Sequence, residues 1–454
     1  MQLKRHISGT FGTNVLLIVV GIGSSIFINR VLGPAGKGEY AIFLAAIGLS
    51  TLVLSFGTHS AVSYYVAKAT FPIQKLLSTI LFFLLVVSVI FFVLVCANGY
   101  WNDNEFFLPK RQNHLFYWGV LSLSFVCSLL STFFISILSG KRLFHIVNLH
   151  RIIQGVLNLL AFSALYYACF EGEYLDSGMV FVLYLLLSLI SLAVLLFFYF
   201  RQVGLGFGFS FLSLPQIWTV FRWSGISYFA VLAQFLNYRI DYWLIDYYAG
   251  NAPLGYYSLA TNLAQMFWLL PVAVSSVLMP HTASAAQGEM LPKTLLISRA
   301  VFAISLLAAL PAALLAGPVI ELLYSQAFLP SAEIFVILLV GVVPFCLTKI
   351  YAGFLAGEGI HRYNMIASLA GLAVTIVLDL LLIPTYGTTG AAWATSMSFL
   401  MTTAYVLYVI CRRYGIRPGD TLLVKKSDYL FAKNLIQNFI SNIKHKNTQE
   451  DSLQ

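Results

Sequence analysis

The chain has 454 residues, of which 59% are hydrophobic and only 9% charged, with a mean hydropathy of +0.86. That composition excludes a soluble globular enzyme, because no long stretch before the segment starting at Arg412 is polar enough to form an aqueous domain. The net charge of +9 and pI of 9.2 would suggest nucleic acid in a soluble protein. In a membrane protein, Lys and Arg instead gather in cytoplasmic loops, and no nucleic acid is expected as a partner.

The apolar runs are continuous and about 20 residues long, which matches a helix crossing the hydrocarbon core. A β-barrel would show shorter alternating strands. Lys4 and Arg5 precede the first run, and no small-x-small cleavage site follows before Asn29 and Arg30, so it reads as an uncleaved first helix. Twelve spans are expected, at 11–32, 40–66, 77–97, 115–139, 152–170, 179–200, 222–248, 254–280, 295–324, 332–355, 363–384 and 390–411. They divide into six-helix halves at 1–205 and 206–411, followed by a basic tail at 412–454.

With the N-terminus inside, Lys4, Arg5, Lys68, Lys75, Lys141, Arg142 and most other cations fall in cytoplasmic segments, against Arg30, Lys37, Lys110 and Arg111 outside. The outer loops gather the acids Asp103, Glu105, Glu171, Glu173 and Asp176. This asymmetry places both termini in the cytoplasm. In the tail, Leu430, Leu435, Ile436, Phe439, Ile440 and Ile443 recur at helical spacing, as in an amphipathic surface helix. Cys96, Cys127, Cys169, Cys346 and Cys411 are scattered and suggest neither a disulfide framework nor a zinc site.

An internal repeat joins the halves. Gly38-Glu39-Tyr40-Ala41, after span one, matches Gly255-Tyr256-Tyr257-Ser258, after span seven. An even number of helices per half implies a two-fold relation about an axis along the membrane normal.

Polar residues inside spans are candidate pathway groups, because an ionisable group there costs about 2.5–3.5 kcal/mol and usually faces a protein interior or cavity. Arg239 is a candidate substrate contact, or a partner in an interhelical ion pair. Asp241 lies two residues on, about 200° around the helix, so the two do not satisfy each other alone. Asp241 and Asp379 are candidates for ion coupling, or structural partners of Arg239 and Lys349. Lys349 and His59 fall toward the cytoplasmic ends of their spans, where either could draw in an anionic headgroup. Gln154 and Asn158 share one helix face, as do Asn262 and Gln265. These stripes suit sugar hydroxyls or interhelical hydrogen bonds equally. No P-loop or nucleophile elbow occurs, so an ion gradient is the expected energy source, with no cofactor and no enzymatic activity.

Arg30 followed by Gly33-Pro34-x-Gly36-x-Gly38-x-Tyr40 resembles the first outer loop of polysaccharide exporters of the Wzx type. Asn237-Tyr238-Arg239-Ile240-Asp241 resembles their seventh helix, and Gly353-x-x-x-Ala356-x-Glu358-Gly359 the end of their tenth. Ile383-Pro384-x-Tyr386-Gly387-x-x-Gly390-Ala391-Ala392-x-Ala394-Thr395 is similar to their last loop and twelfth helix. The resemblance implies an all-α, MATE-like membrane fold of two six-helix bundles in the bacterial plasma membrane. It also implies a flippase for undecaprenyl-diphosphate-linked oligosaccharide serving O-antigen, capsule or exopolysaccharide assembly. The expected partners are that lipid-linked substrate (with Arg30 among its contacts), membrane lipids, H+ or Na+, and a polymerase or other assembly proteins. Peptidoglycan-precursor flippases of the MurJ type usually carry two additional helices. A multidrug or cation antiporter on the same fold is the alternative, and a membrane glycosyltransferase or polymerase a third reading disfavoured by the short outer loops.

Overall fold

The computed structural model describes residues 2–101, 114–169, 173–204, 211–423 and 425. The outer-loop residues Asp103, Glu105, Lys110, Arg111 and Glu171 and the tail pattern at 430–443 lie outside the described residues.

Among the described residues every regular element is helical. In chain order they are α1 (Gln2–Ser55), α2 (Thr58–Lys68), α3 (Ile73–Trp101), α4 (His114–Gly140), α5 (Phe144–Cys169), α6 (Ser177–Val203), α7 (Leu214–Ala249), α8 (Asn251–Gln265), α9 (Leu269–Ser284), α10 (Leu291–Leu314), α11 (Ala316–Tyr324), α12 (Ser331–Gly357), α13 (His361–Tyr414) and α14 (Pro418–Leu422). Among the described residues, nine helical stretches are long and apolar enough to cross a membrane. Two of them, α1 and α13, are kinked pairs broken at Gly33 and Gly387, whose backbones leave the helical region. With the 36-residue α7, they account for the twelve expected spans.

The helices restart where sequence chemistry lets them. Gly33 takes φ 62° and Pro34 follows it inside α1. That order is favourable because proline's fixed φ suits the first turn, where its missing N–H would have no partner anyway. Gly250, at φ 90°, ends α7 and accepts no penalty for the turn into α8. Asp176 caps α6 by accepting from the Gly178 N–H at 3.0 Å.

Two compact units result: one of Met1–Asn262, Ala316–Ile337 and Leu372–Thr395, the other of Leu263–Leu315, Leu338–Gly371 and Ser396–Gln454. The first holds a long apolar core from Ile28 to Leu212, in which Phe43 stacks on Phe181 at 4.4 Å and Phe91 meets Phe125 at 4.3 Å. In the second, Leu278, Val301, Ile350, Phe354 and Ile410 form a core. There, Phe345 stacks on Phe399 at 4.5 Å with Trp268 against both. A 3₁₀ turn at Met266–Trp268 interrupts the step from α8 to α9, and Trp268 donates to the Val342 carbonyl at 3.4 Å. Buried Arg299 donates to the Asp420 carbonyl and so ties α14 to α10.

The first unit also makes the sequence repeat visible in three dimensions. The second limb of α1 crosses the start of α8 backbone to backbone. A Cβ at Gly38 would overlap the Asn251 carbonyl, and one at Gly255 would overlap the Pro34 carbonyl. One constant register relates Gly33 to Gly250, Pro34 to Asn251, Gly38 to Gly255 and Tyr40 to Tyr257, so the contact is reciprocal. Small residues permit that approach between membrane helices.

Candidate functional site

Helix α7 carries two polar sites of the first unit on different sides. On one side Arg239 enters a cavity of about 230 Å³ whose polar lining is completed by Lys37 from α1, Tyr242 from α7, and Ser258 and Asn262 from α8. The guanidinium donates to the Tyr242 hydroxyl and lies 4.7 Å from that ring's centre. Tyr242 is fixed in turn by Thr261, 2.9 Å away on α8. Lys37 is only 6% exposed, and its ammonium lies 5.7 Å from the Tyr40 ring centre. The two cations interact electrostatically. Each leans on an aromatic face, which attracts a cation without neutralising it.

On the other side Asp241, 1% exposed, accepts hydrogen bonds from the Tyr257 hydroxyl and from Thr395 at 3.5 Å. Tyr257 and Thr395 are themselves 3.0 Å apart. Asp379, 0% exposed on α13, interacts electrostatically with Asp241. Among the described residues, neither of its carboxylate oxygens, nor Oδ1 of Asp241, has a hydrogen-bond partner. One helical turn from each acid, Thr375 donates to the Asn237 side-chain carbonyl at 2.5 Å and ties α13 to α7. A buried carboxylate without donors is costly and calls for a proton or a cation. With their neighbours, the two acids present an oxygen-rich nest suited to H+ or to a hard monovalent ion.

The structure thus brings Arg239 and Asn262 into one cavity and Asp241 and Asp379 into one cluster. Arg30 lies elsewhere and donates to the carbonyls of Leu323 at 2.9 Å and Leu322 at 2.7 Å, at the C-terminal end of α11. His59 is half-buried near the start of α2. Gln154 is exposed and Asn158 half-buried on α5, which packs along α1. In the second unit Lys349 covers the Trp268 and Phe345 rings at 4.7 and 5.2 Å, and Gln265 ends α8.

Lys37, Tyr242, Tyr257 and Thr395 are site residues that the sequence reading did not single out. For Lys37 the signal was available. The Gly33-Pro34 pair restarts a helix, which places Lys37 on its first turn and not in a loop. Tyr257 falls in the repeat segment and Thr395 in the motif of the last span, but nothing local tells their hydroxyls from ordinary interhelical glue.

The sequence profile of the polysaccharide biosynthesis protein family matches residues 5–286, more than half of the chain. No curated relative matches the sequence. Among solved structures, an inward closed lipid II flippase MurJ is 15% identical, with a TM-score of 0.68 over 89% of this chain and 87% of that one. An inward-facing multidrug resistance MATE transporter of the MOP superfamily is 13% identical, at a TM-score of 0.68 over 88% and 95%. A MOP superfamily transporter from Pyrococcus furiosus, described as having a binding pocket of reverse polarity, is 15% identical at 0.59 over 90% and 95%. These likenesses show the fold: a multi-pass, helical architecture of MATE and MurJ type.

Proposed function

The chain belongs to the family of polysaccharide biosynthesis proteins, and from that premise we propose that it is a flippase. It moves undecaprenyl-diphosphate-linked oligosaccharide from the cytoplasmic to the outer leaflet of the bacterial plasma membrane. Residues 1–205 and 206–411 act as its two halves, both termini are cytoplasmic, and an ion gradient drives alternating access.

The observation that carries this reading is the cavity in which Lys37, from the first half, meets Arg239, from the second. At an effective dielectric of about 20, one unit charge about 4 Å from another gains or loses roughly 4 kcal/mol. A diphosphate gains that from each cation, whereas a cationic drug is repelled by both. The alternative of a cation antiporter is disfavoured by the same arithmetic. Arg239 offers a planar fork to phosphate oxygens and Lys37 a point charge. Ser258, Asn262 and Tyr242 line the same cavity, and on this reading their polar groups hydrogen-bond phosphate or the first sugar.

Asp241 and Asp379 serve as the coupling site for H+ or Na+. Their three unpartnered oxygens support this role, because a proton or cation bound there relieves like-charge repulsion. Because Asp241 and Arg239 share α7, occupancy of one site is transmitted to the other through one rigid element.

The test is reconstitution into vesicles with a fluorescent lipid-linked sugar. Lys37→Ala and Arg239→Ala should each lower the flipping rate, and the double variant should abolish it while still inserting. Unaltered flipping by the double variant, or transport of a cationic dye instead, would overturn the assignment.

A further inference from the structure

The two ends of α13 carry a cluster of charge that transport through the cavity leaves unused. Arg362 at its start and Arg412 and Arg413 at its finish are all exposed. Arg362 donates to the Tyr363 hydroxyl at 3.0 Å and lies 4.8 Å from that ring's centre. Arg413 interacts with the same hydroxyl and lies 5.9 Å from the Tyr414 ring centre. Tyr405 interacts electrostatically with both Tyr363 and Arg362. Arg412 donates to the Tyr408 hydroxyl at 2.7 Å. Among the described residues, no carboxylate forms an ion pair with any of these guanidiniums. Glu358, the acid beside Tyr414, accepts the Gly288 N–H at 2.9 Å instead.

The second limb of α13 turns one face outward. Met397, Met401, Ala404 and Tyr408 are exposed, and Arg412 continues their spacing of three and four, so they share one side of the helix. Tyr405 stands two turns before Arg412, so Arg362 approaches the side that ends in Arg412. Met401 lies about 16 Å along the axis from Arg412, close to the hydrocarbon depth of one leaflet, half of ~30 Å. Methionine, unbranched and flexible, adapts to an irregular apolar partner.

We propose that this end of α13 binds one anionic phospholipid, its phosphate held by Arg362, Arg412 and Arg413 and an acyl chain laid along Tyr408 and Met401. The guanidinium fork matches phosphate oxygens, and the tyrosines orient each cation without neutralising it. The lack of a carboxylate selects the headgroup. The ammonium of a zwitterionic lipid would find no partner and meet only like charges, whereas a neutral glycerol headgroup would not. The bound lipid joins the two limbs, since Arg362 opens the first and Arg412 and Arg413 close the second. The site stands independently of the flippase reading.

Native mass spectrometry reads the site directly. Protein taken from phosphatidylcholine vesicles containing some phosphatidylglycerol should leave the membrane carrying one phosphatidylglycerol. Phosphatidylethanolamine in its place should not be retained. In Arg362→Gln/Arg413→Gln, retention should fall at least about tenfold, equivalent to roughly 1.4 kcal/mol. Lys75→Gln/Lys141→Gln removes the same formal charge from exposed positions elsewhere and should retain the lipid as the parent does. Met401→Ser, which leaves every guanidinium in place, should weaken retention by a smaller factor. Phosphatidylglycerol should also raise the melting temperature of the parent but not of the arginine variant. Equal retention of phosphatidylethanolamine by the parent, or full retention by the arginine variant, would overturn the site. An equal fall in the lysine variant would overturn it too, reducing it to the general attraction of a basic surface. Glycerol phosphate, the same anion without chains, should not displace the lipid. Displacement at comparable concentration would make this a site for a soluble anion and overturn the lipid assignment.

Discussion

The cationic cavity and the acid cluster are built on the same helix, yet they satisfy their charges in opposite ways. Lys37 and Arg239 lean on the Tyr40 and Tyr242 rings and share open volume with Ser258 and Asn262. Asp241 and Asp379 are sealed at 1% and 0% exposure, and three of their four carboxylate oxygens have no hydrogen-bond partner among the described residues. Aromatic faces stabilise a cation but leave it able to bind an incoming anion. A sealed oxygen nest has room only for something small. The contrast gives the proposal above its physical content: a large anion on one side of α7 and a proton or small cation on the other.

The sharpest way to break this comparison is at Arg239. Arg239→Ala removes a charged hydrogen-bonding partner, and such bonds are worth about 1.5–3 kcal/mol. Flipping of the fluorescent lipid-linked sugar should fall by roughly one to two orders of magnitude, and Arg239→Lys should recover part of it. Asp241→Asn comes next: substrate binding should persist, while the flipping rate loses its dependence on an imposed pH or sodium gradient. An Asp241→Asn protein with unchanged gradient dependence would make that carboxylate structural.

Stability separates the two acids further. Asp241→Ala strips partners from Tyr257 and Thr395, so it should lower the melting temperature in detergent, by about 1–3 kcal/mol of lost hydrogen bonding. Asp379 has no donor to lose, so Asp379→Asn should leave the melting temperature equal or higher. A large destabilisation by Asp379→Asn would show that the Asp379 carboxylate is needed by the fold and erase this difference between the two acids. The smallest effect is expected at Lys349. Its ammonium covers Trp268 and Phe345 outside the cavity, so Lys349→Met, which keeps the aliphatic stem, should change flipping by less than about threefold.

Much of the fold was legible in the chain. Continuous apolar runs fixed the number of spans, and the Gly38 and Gly255 segments marked the repeat before any coordinates. Arg239, Asp241 and Asp379 stood out because charge in a membrane span is rare. Their partners did not. Tyr257 and Thr395 approach Asp241 from α8 and α13, and a hydroxyl inside a span carries no sign of what it faces. Lys37 was hidden for a different reason: a cation beside Gly, Pro and more Gly reads as loop, although the helix has already restarted at that point.

The sequence by itself therefore determined a helical multi-pass membrane protein, since hydrocarbon tolerates only backbone that bonds to itself over spans of about 20 residues. Only the tertiary structure decided which charges meet. Whether Lys37 faces Arg239, and whether Asp241 finds Asp379, depends on where helices cross and how they are rotated. Those are set by contacts such as Gly38 on Asn251 and Thr375 on Asn237, between residues far apart in the chain.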